Sequence, residues 1–140
     1  MIERRVFHRA VFVAAGIYNI AWGVYCVIDP QWLFRLTGGA TNDRAEVVSA
    51  LGLVIGLYGL LYFAVARDLE HGSQIVGVGL AGKVLGPIGV AYAVAQGSWP
   101  ASTFFVCLTN DFLWLLPFAL YLYDVRHCSN SVKAPLSSAA

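Results

Sequence analysis

The chain has 140 residues, 59% hydrophobic and 12% charged, with a formal net charge of +1. Soluble domains run nearer to roughly 45–50% and 25%, so this composition, with a mean hydropathy of +0.68, belongs to a membrane protein. A near-neutral chain has no basic footprint for nucleic acid, its length leaves room for a single domain (1–140), and three cysteines without a Cys-x-x-Cys pair make neither a disulfide scaffold nor a zinc site.

The first apolar run extends from Val11 to Ile28. Glu3-Arg4-Arg5 ahead of it resembles the start of a signal peptide. The run nevertheless ends in Asp29-Pro30-Gln31-Trp32 with no small-x-small cleavage site, so it reads as a retained span. Asp29 as a cap, Pro30 at the first helical position, the apolar Trp32, Leu33, Phe34 and Leu36, and the stop at Gly38-Gly39 predict a short interfacial helix in the 1–2 loop. Trp32 would sit at headgroup depth; a substrate lid is the other reading of this loop. Asp43 and Glu46 make a capping-box-like start for the second span, Val47 to Ala66. A polar turn, Arg67 to Ser73, leads into the third, Ile75 to Ala95, and Gln96 to Pro100 into the fourth, Thr103 to Tyr123. Residues 124–140 follow as a tail.

These runs are continuous and rich in Ala, Leu and Gly, with no period-2 alternation, and an open sheet could not satisfy its edges in lipid. Each comes near the roughly 20 residues a helix needs to cross a bilayer core. The predicted fold is therefore all-α, an integral-membrane four-helix up-down bundle with the lipid bilayer as its first partner. Arg4, Arg5, Arg9, Arg67, Arg126 and Lys133 fall on one side, and only Arg35 and Arg44 on the other. That asymmetry predicts cytoplasmic termini, as in a multi-pass protein of a bacterial inner membrane.

Glycine is the expected packing residue. Gly52-x-x-x-Gly56 and Gly82-x-x-x-Gly86 are faces on which helix backbones approach closely, within the bundle or along a homodimer seam. Grooves lined by glycine could also leave room for a flat ligand. Tyr18, Trp22 and Tyr25 share one helix face by spacing, and most of the aromatic residues read as core or membrane belt.

Polar groups inside the spans carry the functional signal. They are Asn19, Lys83 and the pair Asn110-Asp111. A charge at the bilayer centre costs roughly 3 kcal/mol or more, so an intramembrane ion marks a functional site by default. Lys83 and Asp111 each lie roughly 12 Å into adjacent antiparallel helices, at levels about 6 Å apart, which a lysine stem can bridge. An ion pair is predicted, with Asn19 near the level of Lys83. Pro87 leaves the Lys83 carbonyl without its helical donor, and Pro117 does the same to Leu113. Trp22 and Trp114 lie within a helical turn of these groups. The predicted ligand-binding set is Lys83, Asp111, Asn110, Asn19, Trp22 and Trp114, with no catalytic residue assigned and no metal. The alternative is a buried pair that fixes helix register and does nothing else.

His8, His71 and His127 fall at the cytoplasmic edge and read as solvated loop residues; Cys26 and Cys107 read as inert packing residues, although a disulfide between them is conceivable.

Among four-span families, small multidrug exporters place a glutamate in the first span where this chain has Asn19, and disulfide-forming quinone oxidoreductases need a Cys-x-x-Cys. The chain resembles the small DoxX-like bacterial membrane proteins in Tyr18-Asn19-Ile20-Ala21-Trp22-Gly23, in the Gly52–Gly59 run and in Gly82-Lys83 with its following Gly-Pro. That resemblance implies thiosulfate–quinone chemistry, with quinone as the candidate cofactor. The resulting expectation is a polar centre that binds a small lipophilic or quinone-like molecule, in a homo-oligomer or as a partner subunit of a membrane redox system. A proton-coupled transporter using Asp111, or a purely structural subunit, are the other classes.

Overall fold

The computed structural model describes residues 4–39 and 45–133, with side chains to position 128. Among the described residues, four helical runs are long and apolar enough to cross a membrane: α1 (Arg5–Ile28), α3 (Ala45–Arg67), α4 (Ser73–Ala95) and the run Ala101–Cys128. The short α2 (Trp32–Thr37) lies between the first two. The fold is all-α, as the composition requires, and the chain is a multi-pass membrane protein. The fourth run is composite: a 3-10 turn (Ala101–Thr103), α5 (Phe104–Cys107), a π-helical turn (Leu108–Phe112) and α6, which continues past Tyr123 to Lys133. Asp43, of the expected capping box, lies outside the described residues.

Two tight helix pairs make the bundle, α1 with α3 and α4 with α6. Glycine explains the first. A Cβ on Gly52 would stand 2.5 Å from Cβ of Cys26, and one on Gly59 would stand 2.7 Å from the Gly16 carbonyl. Gly23 abuts Gly52 in the same way, so Gly16 faces Gly59 and Gly23 faces Gly52 with seven-residue spacing on antiparallel helices. Where no hydrophobic effect drives helices together, such close approach is what holds them. The row on α4 behaves differently. A Cβ on Gly82 or Gly89 would meet nothing within 4 Å, and one on Gly86 would meet only the Asp111 carboxyl. The expected small-residue packing face is open at Gly82, and at Gly86 it meets the Asp111 side chain and not a helix backbone.

The end that carries the chain termini is locked by charge. Arg4 donates to both carboxylate oxygens of Asp124, at 2.8 and 2.9 Å, and His8 Nε2 lies 2.8 Å from Asp124 Oδ2. Arg9 Nε donates to the Ala66 carbonyl at 3.0 Å, and Tyr121 donates to the Leu69 carbonyl at 2.7 Å. His8 corrects the expectation of a solvated loop residue: it is 0% exposed, because α1 begins six residues before the apolar run and turns His8 onto Tyr121 and Asp124. His71 does lie in an exposed turn, against Asp68.

At the opposite end α2 is packed inward and does not simply rest on the surface. Leu33, Phe34 and Thr37 are buried, Phe34 meets Trp99 edge to face, and Ser102 donates to the Thr37 carbonyl. Asp29 ends α1 and pairs with Arg35, so the helix starts at Trp32 and not at Pro30. Gly38, at φ +73, ends it in the left-handed conformation that glycine adopts without strain.

Candidate ligand-binding site

The fourth run widens where its polar residues fall. In the π turn the Leu113 N–H reaches the Leu108 carbonyl, which strips Thr109 of its ordinary helical donor. Hydrocarbon offers no water to replace such a donor, so the protein must supply one. Trp114 Nε1 donates to the Thr109 carbonyl at 3.0 Å. The ammonium of Lys83, arriving from α4, donates to the neighbouring carbonyl of Asn110. Irregular turns of this kind occur often at functional sites.

Lys83 and Asp111 are 7% and 6% exposed, and Nζ stands 3.8 Å from Oδ1. The two ions therefore sit side by side as their depths suggested, while the lysine's direct hydrogen bond goes to the main chain. Asn110 Nδ2 donates to Asp111 Oδ1 at 3.2 Å, which orients the amide and leaves its own oxygen buried without a partner. A Cβ at Gly86 would come 3.3 Å from Asp111 Oδ2, so the glycine admits the carboxyl. Asn19, on α1, is 3% exposed, and its amide oxygen has no hydrogen-bond partner either.

These four residues line one cavity of about 520 Å³ between the two helix pairs. That is the size of a small-molecule site. On α4 its wall runs from Gly79 to Ala93 through Gly82, Gly86 and Gly89; on α3 it runs from Leu51 to Tyr62. Leu33 of α2 and Trp99 close the end opposite the termini. Leu51 and Val54 on one rim and Val78 on the other are more than half exposed, so the cavity opens sideways between α3 and α4, where hydrocarbon lies.

Of the aromatic candidates, Trp22 lines the cavity and is held edge to face against Trp32. Trp114 does not line it: the ring is turned into the core between Tyr18 and Phe118. Tyr58, Tyr62, Cys107 and the α4 glycines belong to the wall and are absent from the residues expected there. The signal for them was the spacing of Gly79, Gly82, Gly86 and Gly89 on the same face as Lys83, which looked like a packing seam. Cys107 and Cys26 are both buried free thiols; Cys26 accepts from Trp32 Nε1 at 3.4 Å.

No protein family matches the chain, and no curated protein or solved structure matches it either. The four long apolar helices are those of a small four-span membrane protein.

Proposed function

We propose that this protein binds a small lipophilic, quinone-like molecule from the bilayer, with Lys83, Asp111, Asn110 and Asn19 as its polar contacts and Trp22 as an aromatic wall. The observation that carries the reading is a buried, oppositely charged pair on the wall of a 520 Å³ cavity that also holds an unpartnered amide. Buried ions used only as helix glue are normally enclosed by protein and satisfied on every side. Here a rim open towards lipid gives an apolar molecule a way in without passing through water. A role as a partner subunit of a membrane redox system fits this reading, and so does kinship with DoxX-like proteins, which rests on the segments Tyr18–Gly23, Gly52–Gly59 and Gly82–Pro87.

Cytoplasmic termini in a bacterial inner membrane belong to the same proposal. Arg4, Arg5, Arg9, Arg67 and Arg126 supply the supporting charge bias.

Native mass spectrometry of protein extracted in mild detergent tests the reading, with wild type beside the charge-free pair Lys83→Met/Asp111→Leu. A lipophilic adduct on wild type that is missing from the folded double variant is the expected result. An adduct held equally by both, or by neither, removes the polar centre from ligand binding.

A further inference from the structure

The cavity has a shape and a charge state that narrow its occupant further, given that it is a ligand site at all. Along α4 its wall spans Gly79 to Ala93, about 21 Å at 1.5 Å per residue. A cavity of about 520 Å³ drawn out over that length is an elongated groove, which suits a long chain lying along α4 better than a compact molecule. The charged and amide side chains are confined to its middle and lower part, and the Trp99 end adds only the hydroxyl of Thr103. From there to Trp99 and Leu33 the wall is Gly86, Gly89, Val90, Ala93 and Val106, with no charged side chain. Gly89 has nothing within 4 Å of where a Cβ would stand, so the groove beside it is empty of side chains.

The head-group end is just as restrictive. Lys83 and Asp111 are the charged residues of the wall, they stand 3.8 Å apart, and their charges cancel. An anionic head would be drawn by Lys83 and repelled at equal range by Asp111; a cationic head meets the reverse. Either would surrender its hydration with no net counter-charge to meet it. A neutral polar head meets donors on Lys83 and acceptors at Asp111 and at the unpaired amides of Asn19 and Asn110.

We infer that the site selects a neutral single-chain amphiphile, a long-chain alcohol or phenol in chemical class. Its hydroxyl head lies at Lys83, Asp111 and Asn19, and its chain runs along Gly86 and Gly89 towards Trp99. The hydroxyl suits this wall because it donates and accepts, whereas an ether or ketone leaves a buried acceptor unpaired. Entry is sideways, between α3 and α4.

The test is photolabelling of the full chain in phospholipid nanodiscs with a dodecanol carrying a diazirine near its chain end. Labelled residues are mapped by peptide mass spectrometry, and unlabelled dodecanol, dodecanoate, dodecylamine and hexanol serve as competitors. Label on Val90, Ala93, Trp99 or Val106 is expected, displaced by dodecanol and at least about tenfold less well by the other three. Gly89→Leu should cut this labelling by about tenfold or more. Gly77→Leu, at another glycine with open space around it but off the cavity wall, should leave it unchanged. Competition by dodecanoate or dodecylamine equal to dodecanol overturns the neutral head, and labelling indifferent to Gly89→Leu overturns the chain path. If no single-chain probe labels the cavity while native mass spectrometry still finds a lipophile lost in Lys83→Met/Asp111→Leu, this inference fails and the proposed function stands. If that adduct is missing too, both fail.

Discussion

The ammonium of Lys83 is bound by the carbonyl of Asn110, one residue away from the carboxylate it was expected to pair with, which stands 3.8 Å from it. The lysine thus serves two groups at once, a main-chain oxygen of the π turn and a buried carboxylate. Removing the cation alone leaves Asp111 as an uncompensated charge. Lys83→Met should therefore destabilise the protein by about 3–5 kcal/mol, whereas Lys83→Met/Asp111→Leu should recover most of that loss. Thermal unfolding in detergent, read by circular dichroism, checks both. A double variant no better than the single one would mean that the carbonyl contact, and not charge balance, sets the cost.

The two glycine rows predict opposite responses to a methyl group. At Gly52 the new Cβ would overlap Cys26, and at Gly23 it would overlap the Gly52 carbonyl, so each change to alanine should cost about 1–3 kcal/mol. Gly82→Ala meets open space and gains helix propensity, for a stabilisation of up to about 1 kcal/mol. The same unfolding series measures all three. Equal losses at the three positions would show that α4 is as tightly packed as α1 and α3.

At the end that carries the termini, His8 and Arg4 share the Asp124 carboxylate but not its burial: the His8 side chain is 0% exposed and that of Arg4 47%. His8→Leu should cost about 1–3 kcal/mol, because it removes a buried hydrogen bond to a carboxylate. Arg4→Ala should cost less than about 1 kcal/mol, as half-exposed ion pairs do. Hydrogen exchange of the α6 amides after Tyr121 reports this directly, with faster exchange expected in the histidine variant alone.

Trp114 Nε1 donates to the Thr109 carbonyl, which the π turn deprives of the Leu113 N–H, and phenylalanine preserves the ring without that bond. Trp114→Phe should cost about 1–3 kcal/mol through the lost hydrogen bond to that buried carbonyl, with little change in ligand retention, because Trp114 lies off the cavity wall. A loss of ligand at unchanged stability would put the indole in the binding site after all.

Much of this fold was legible because a bilayer leaves few options. Long apolar runs must be helices, short polar turns between them force antiparallel neighbours, and depth counting along those helices placed Lys83 beside Asp111. Three features escaped for physical reasons. The π turn has no sequence signature; it depends on where Lys83 and Trp114 can reach. The partnership of His8 with Asp124 joins positions 116 residues apart and required α1 to extend below its apolar run. The α4 glycines look the same in sequence whether they meet a helix or an empty groove, since small residues permit contact without demanding it.

The central claim is that the space between α3 and α4 is occupied by a molecule from the membrane. An experimental density map of the protein extracted with its native lipids tests this most directly. The account predicts elongated density running from the level of Lys83 and Asp111 along Gly86 and Gly89 to Trp99, not attributable to any side chain. A map in which α3 and α4 close against each other, with Gly82 and Gly89 in helix contact and no room between them, would contradict it.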